Sequence, residues 1–118
     1  MRAKDRLGRY GEQVAARYLS DLGYRILATN WRCPTGELDI VAIDGDVLVF
    51  VEVKTRSSTR FGVPAEAVTR VKASRLRTLA GAWLAEHRPR HNGLRFDVIS
   101  VLSSRAGAAH VEHLQGVI

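Results

Sequence analysis

The chain has 118 residues and carries 18 Lys and Arg against 12 Asp and Glu, a net charge of +6 and a pI near 10.2. This length, with 46% hydrophobic residues, predicts a single domain over residues 1–118, and the positive charge suits an anionic partner such as nucleic acid. Without a long apolar run, a secretory signal or a second cysteine beside Cys33, we expect a cytoplasmic protein with no membrane segment and no disulfide.

Helical spacing marks the first predicted element. Apolar residues recur every three or four positions and predict an amphipathic helix, with this stripe: Leu7, Tyr10, Val14, Tyr18 and Leu22. Gly23 predicts the end of the helix. At about 100° per residue, Glu12 falls at the margin of the stripe, which predicts a half-buried carboxylate. An ion pair with Arg9 or with a neighbouring strand is the ordinary interpretation of Glu12.

A strand and a hairpin follow. Residues 24–32 predict the first strand, and residues 33–36 a turn. Two strongly apolar runs then flank Asp44-Gly45, and this dipeptide between alternating hydrophobic residues is the strongest short-range signal for a hairpin. With a two-residue turn at Asp44-Gly45, Ile43 pairs with Asp46.

Three charged residues interrupt these apolar runs: Asp39, Glu52 and Lys54. In the two-residue-turn register, Asp39 lies opposite Phe50 and Glu37 lies opposite Glu52, whereas a four-residue loop sets Asp39 directly across from Glu52. Either loop leaves the three charges on one face, and a three-residue loop would separate them. Such neighbours lie roughly 5 to 8 Å apart, a separation that two carboxylates can close around one cation.

These residue types indicate hydrolysis of phosphodiesters. Ligands that are all oxygen favour Mg²⁺ or Mn²⁺, and Lys54 can orient an attacking water and neutralise charge on a phosphate. The alternative is an ion pair between Asp39 and Lys54 on a solvated face, with Glu52 incidental. Glu37 is either a carboxylate that contacts the metal ligands without binding the ion itself, or a residue at the solvated end of the strand.

A polar loop and a second helix come next. Residues 56–64 are rich in Ser, Thr, Gly and Arg, and predict a mobile surface loop directly after Lys54. Arg56 and Arg60 are therefore candidates for phosphate contacts, with an ordinary solvated connection as the alternative. Pro64 suits the first turn of a helix that we predict to run to about Glu86.

The second helix carries several basic residues. Its predicted buried face comprises Leu76, Leu79, Ala80, Trp83 and Leu84. Arg70 and Arg77 fall near one azimuth, together with Arg88 if the helix extends so far, while Lys72 and Arg75 lie elsewhere around it. We take Arg70, Lys72 and Arg77 as candidates to follow a phosphate backbone. The alternative is a face that is merely solvated.

Two further strands are predicted over residues 94–102 and 110–117. Asp97 lies within the first of them and is predicted to be a buried structural carboxylate, paired with Arg95 or a backbone donor. His110 and His113 lack the helical spacing of zinc hydrolase ligands, so we do not expect zinc there.

Several segments together resemble a known family. The chain is similar to the YraN family of uncharacterised bacterial proteins, within the PD-(D/E)XK nuclease superfamily and related in fold to archaeal Holliday-junction resolvases. The matching segments are Gly8–Glu12, Gly23-Tyr24, Asn30–Arg32, Gly36–Ala42, Phe50–Arg56, Phe61–Val68 and Arg95–Ile99. The resemblance implies an α/β fold with a restriction-endonuclease-like core of helix, three strands, helix and strands, and a mixed central sheet flanked by helices.

The same resemblance implies roles for particular residues. Asp39 and Glu52 would be metal ligands, the Val53 carbonyl a further ligand and Lys54 the catalytic lysine. Glu12 matches a first-helix carboxylate of the resolvase-like members. One difference is that Leu38 stands where the superfamily has a proline.

Residues and resemblance together predict a Mg²⁺- or Mn²⁺-dependent endonuclease that hydrolyses phosphodiester bonds of DNA. By analogy with resolvase-like relatives, we expect a homodimer acting on branched or structured DNA in repair or recombination. One alternative is a nucleic-acid-binding module that keeps the nuclease fold without turnover. Another is a purely structural protein with an ion pair at this position.

Overall fold

The computed structural model describes residues 3–57, 70–104 and 107–117, with side chains from residue 6 onward. Its elements, in chain order, are α1 (Ala3–Asp21), β1 (Arg25–Cys33), β2 (Gly36–Asp44), β3 (Val47–Arg56), α2 (Arg70–His87), β4 (Leu94–Leu102) and β5 (His110–Leu114). The predicted order of helix, three strands, helix and two strands is therefore confirmed. The predicted start of the second helix at Pro64 lies outside the described residues.

The five strands form one mixed sheet in the order β1-β2-β3-β4-β5. Neighbouring strands are antiparallel except β3 and β4, which are parallel. Parallel neighbours need a long crossover connection, and α2 belongs to the segment that joins these two strands. The α/β class with a mixed sheet is thus confirmed. Neither described helix combines the length and hydrophobicity that a bilayer-spanning segment needs.

A hydrophobic cluster lies on each face of the sheet. One packs α1 against alternate residues of the strands, such as Ile40, Val51 and Ile99. The other packs α2 against the opposite face, where Phe50 meets Trp83 edge to face with ring centroids 5.9 Å apart. Leu76, Leu79, Ala80 and Trp83 are all buried, which confirms the face predicted for this helix.

The buried line of α1 differs from the predicted stripe. Gly11, Ala15 and Leu19 are buried, whereas Tyr10 and Leu22 are 39% and 54% exposed. Small residues at positions 11 and 15 let the helix backbone come close to β3, so steric fit rather than hydrophobicity alone orients α1. Glu12, next to Gly11, is half-buried as predicted.

The closest approach of α1 to the sheet is at Gly11. A methyl group added there would collide with the Thr55 side chain on β3, and rotating Thr55 gives no relief because its Cβ would lie only 2.7 Å away. We expect Gly11→Ala to lower the free energy of unfolding by about 2 kcal/mol. Gly8→Ala is the matched control: the added methyl group has no neighbour within 4 Å, so alanine should stabilise the helix by roughly 0.5 to 1 kcal/mol. Urea denaturation followed by circular dichroism measures both, and equal stability of the two variants would contradict this packing.

The hairpin between β2 and β3 is shifted from the predicted register. Asp44 pairs with Val47 and Ile43 with Leu48, so the turn residues are Gly45 and Asp46 rather than Asp44 and Gly45. The pairing of Ile43 with Asp46 was therefore wrong. Gly45 has φ 63°, a conformation that costs glycine little, and this favours glycine at the first central position of the turn.

A buried polar network joins β4 to neighbouring elements on the face of the sheet that α1 covers. Asp97 is fully buried and accepts hydrogen bonds from Arg95 Nε and Nη2 (2.9 and 3.0 Å), His113 Nε2 (2.7 Å) and the Gly116 backbone N–H (3.0 Å). Its predicted structural role, paired with Arg95 or a backbone donor, is confirmed, and the structure shows both partners. Arg95 also donates to Asp44 at 3.1 Å and to the Tyr24 hydroxyl at 2.6 Å. Hydrogen bonding to Asp97 raises the pKa of Arg95, so this guanidinium stays charged.

Candidate functional site

A cavity of about 160 Å³ lies between the ends of β2 and β3 and the first turns of the described part of α2. Asp39, Glu52 and Lys54 all line it, so the structure brings these three predicted residues together. The other lining residues are Glu37, Lys72, Arg75, Leu76 and Leu79. Acidic groups thus face basic groups across one small space.

The observed register explains how Asp39 reaches the cavity. The last regular pair of β2 with β3 is Ile40 with Val51, and one further step would place Asp39 opposite Glu52. The predicted pairings of Asp39 with Phe50 and of Glu37 with Glu52 were therefore wrong. Beyond that last pair, the Asp39 carboxylate accepts a hydrogen bond from the backbone N–H of Val53, with the nitrogen 2.8 Å from Oδ2.

Asp39 lies in an environment that disfavours its charge. Burial raises the pKa of this carboxyl to about 7, while the hydrogen bond from Val53 opposes the shift. The nearby carboxylates of Glu12, Glu52 and Glu37 raise it further. A carboxylate with this combination of burial and like-charged neighbours is typical of a functional site, because a cation would remove the electrostatic cost.

Glu12 approaches the same carboxylate from α1. Burial raises its pKa, a hydrogen bond from Asn30 lowers it, and Glu37 raises it again. Its Oε2 atom is buried and has no hydrogen-bond partner among the described residues. A buried acceptor without a donor is costly, so the Glu12 oxygen is available to a cation.

Three carboxylates come close enough to share one ion. Single oxygens of Glu12, Glu37 and Asp39 all lie within 4.8 Å of one another. Glu37 also forms an ion pair with Arg32, Oε2 to Nε, at 3.0 Å. Carboxylate oxygens are the ligands that Mg²⁺ and Mn²⁺ prefer, so the residues present fit such an ion.

Glu52 is not one of these three carboxylates, although it lines the same cavity as Asp39, and it forms an ion pair with Lys54. Its Oε1 lies 3.5 Å from Lys54 Nζ, and both side chains are about a quarter exposed, at 25% and 29%. Lys54 therefore pairs with Glu52, and not with Asp39 as the alternative interpretation had it. Val53, between them, packs its side chain against the α1 cluster and turns its N–H to Asp39.

The basic candidates fall into separate places. Lys72 lines the cavity. Its contact with Lys54 and, to a smaller extent, its burial lower the pKa of Lys72. Arg70 and Arg77 are exposed and do not line it. Arg56 is half-buried at the end of β3. Arg60 lies outside the described residues.

Arg75 lines the cavity and was not among the predicted site residues. Its spacing of three from Lys72 places both on one side of α2, and this spacing was the available signal. This spacing could identify Arg75 only once the structure showed which side of α2 faces the sheet. Leu76 and Leu79, buried beside these two residues, set that azimuth.

Sequence comparisons identify the chains to which this protein is similar. The profile described as "Uncharacterised protein family UPF0102" matches residues 11–101. A UPF0102 protein from Beutenbergia cavernae is 62% identical over 117 residues, covering 99% of both chains. UPF0102 proteins from Frankia casuarinae and an Arthrobacter species are 57% and 56% identical, covering 98% and 99% of both chains respectively.

Proposed function

We propose that this chain, which belongs to the uncharacterised protein family UPF0102, is a metal-dependent nuclease with the restriction-endonuclease-like fold of the PD-(D/E)XK superfamily. Membership confirms the YraN-like resemblance at the level of the family. The nuclease activity and the superfamily are our inference from the site. By analogy with resolvase-like relatives, the proposed substrate is DNA, branched or structured, cut by a homodimer.

One observation carries the proposal: a single small cavity holds the half-buried carboxylate of Asp39 and the Glu52–Lys54 pair. Hydrolysis of a phosphodiester needs anionic ligands for a cation and a positive group for the phosphate, and this cavity supplies both. The basic net charge of +6 favours a polyanionic substrate.

Asp39 and Glu52 would hold the ion, with the Val53 carbonyl as a further ligand and Glu12 completing the set. When bound, a divalent ion supplies a water of lowered pKa and positive charge for the pentavalent phosphate. Lys54 orients the attacking water and neutralises charge on the phosphate oxygens, since its ammonium is held at the cavity by Glu52.

Lys54→Gln tests the proposed catalytic role. We expect a metal-dependent cleavage rate about a hundredfold below that of the wild type, because a neutral amide cannot stabilise the developing charge. Affinity for uncleaved DNA, measured in EDTA, should change by only a few fold. A screen of branched, flapped, duplex and single-stranded DNA with Mg²⁺ or Mn²⁺ provides the substrate.

Arg90→Gln is the control for the loss of one positive charge, because Arg90 is exposed beyond the far end of α2. It should cleave like the wild type. Metal-dependent cleavage by Lys54→Gln at the wild-type rate would contradict the catalytic role. DNA binding without cleavage of any substrate would favour the nucleic-acid-binding module without turnover.

A further inference from the structure

The cavity has two walls of opposite charge. On the sheet, Glu37, Asp39 and Glu52 outnumber the one lysine, Lys54, and form an acidic wall. Lys72 and Arg75 extend from α2 to form a basic wall opposite. A divalent ion accounts for the acidic wall alone. We propose that Lys72 and Arg75 bind a phosphate of the nucleic-acid backbone across the cavity from the metal ligands; this inference rests on the proposed function and names how its substrate is held.

The position of the basic wall follows from the packing of α2. Lys72 and Arg75 are one turn apart, and Leu76 and Leu79 in the adjoining turns are buried against the sheet. The helix therefore cannot rotate without exposing its apolar anchors. Lys72 is half-buried and Arg75 is exposed at the rim, so an anion entering from solvent would meet both groups.

Electrostatics inside the cavity also favour an anion. Lys72 contacts Lys54, and two ammonium groups in contact repel one another. Glu52 offsets part of this repulsion in the absence of ligands. An anion bound beside the two ammonium groups would offset the rest of this repulsion.

The size of the cavity distinguishes a polymer from a small ligand. Its volume of about 160 Å³ is below the roughly 300 to 1,000 Å³ of sites that enclose small molecules. One phosphate group with a few waters of about 30 Å³ each fits this space. A nucleotide would not be enclosed, which favours a backbone that passes across the opening.

The test measures the salt dependence of nucleic-acid binding without cleavage. Fluorescein-labelled four-way DNA junction, duplex DNA, single-stranded DNA and RNA of matching sequence are titrated in EDTA and followed by anisotropy. Each lost phosphate contact should reduce the slope of log affinity against log salt by about one. We therefore expect the double variant of Lys72→Gln and Arg75→Gln, which loses this one phosphate contact, to reduce the slope by about one. Each single variant should reduce the slope by less than that, and Arg90→Gln should leave it unchanged.

Several outcomes would overturn the inference. These are a wild-type slope in the double variant, an equal reduction in Arg90→Gln, or no salt-dependent binding of any probe by the wild type. Circular dichroism melting checks that the variants are folded. Mn²⁺ titration separates the two proposals, because the double variant should still bind the ion on the acidic wall. A slope that depends on Lys72 and Arg75 supports the phosphate site even if no substrate is cleaved.

Discussion

Asp97→Asn is expected to destabilise the protein by about 3 kcal/mol. Asp97 is fully buried and accepts four hydrogen bonds, two of them from Arg95 and one from His113. An amide of the same shape keeps at most part of these bonds and leaves the Arg95 charge without its buried counterion. Urea denaturation at neutral pH measures the loss.

Asp44→Asn is the matched control for this prediction. Asp44 pairs with the same Arg95 guanidinium at 3.1 Å, but its side chain is 42% exposed. Solvent screens such a pair, so the expected loss is less than about 1 kcal/mol. Similar losses in the two variants would contradict the view that burial of the Asp97 carboxylate makes the network important.

Asp97 lies on the face of the sheet covered by α1, beside Val51 in the parallel register of β3 and β4. Glu52 and Lys54 line a cavity on the α2 side. Any loss of activity in Asp97→Asn should therefore parallel the loss of folded protein, and activity per folded molecule should be retained.

Asp39→Asn is expected to abolish metal binding and to stabilise the metal-free protein above neutral pH. Burial raises the pKa of Asp39 from 3.8 to about 7, so the folded chain binds more protons than the unfolded chain between these values. The free energy of unfolding therefore falls as pH rises through this window and stays low above it. The full shift corresponds to about 4 kcal/mol, and partial exposure of the side chain reduces this to on the order of 2 kcal/mol.

The stability comparison is made in EDTA at pH 8 and at pH 4. Asp39→Asn should exceed the wild type at pH 8 and approach it at pH 4, where both side chains are largely neutral. Asp46→Asn, in the exposed turn of the hairpin, should differ from the wild type by less than about 0.5 kcal/mol. An Asp39→Asn variant less stable than the wild type at pH 8 would show that the ionised carboxylate is already compensated.

Strand and helix positions could be predicted where the signal is local. The strand Leu94–Leu102 has the predicted bounds, since its apolar run is long and flanked by polar loops. The predicted register of β2 and β3 was wrong because the turn lies one residue later than predicted. Both Asp44-Gly45 and Gly45-Asp46 fit a tight turn, so the sequence could not distinguish them. The shift nevertheless brings Asp39 closer to Glu52 than the predicted pairing did.

Features that depend on contacts distant in sequence could not be predicted. Tyr10 and Leu22 are apolar enough to join a buried stripe, but the contact of Gly11 with Thr55 turns them outward. The sequence placed Arg75 only away from the azimuth of Arg70 and Arg77. Its position at the cavity depends on the burial of Leu76 and Leu79, which orients α2.

Titration of the folded wild type with Mn²⁺ at pH 8, followed by calorimetry, tests the metal site most directly. We expect binding by the wild type and by Asp46→Asn, none by Asp39→Asn, and weakened binding by Glu52→Gln. At a free Mn²⁺ concentration a hundred times the Kd, the wild type should also gain about 2.7 kcal/mol of stability. Equal heats from the wild type and Asp39→Asn, or no binding by the wild type, would contradict a metal centre at Asp39.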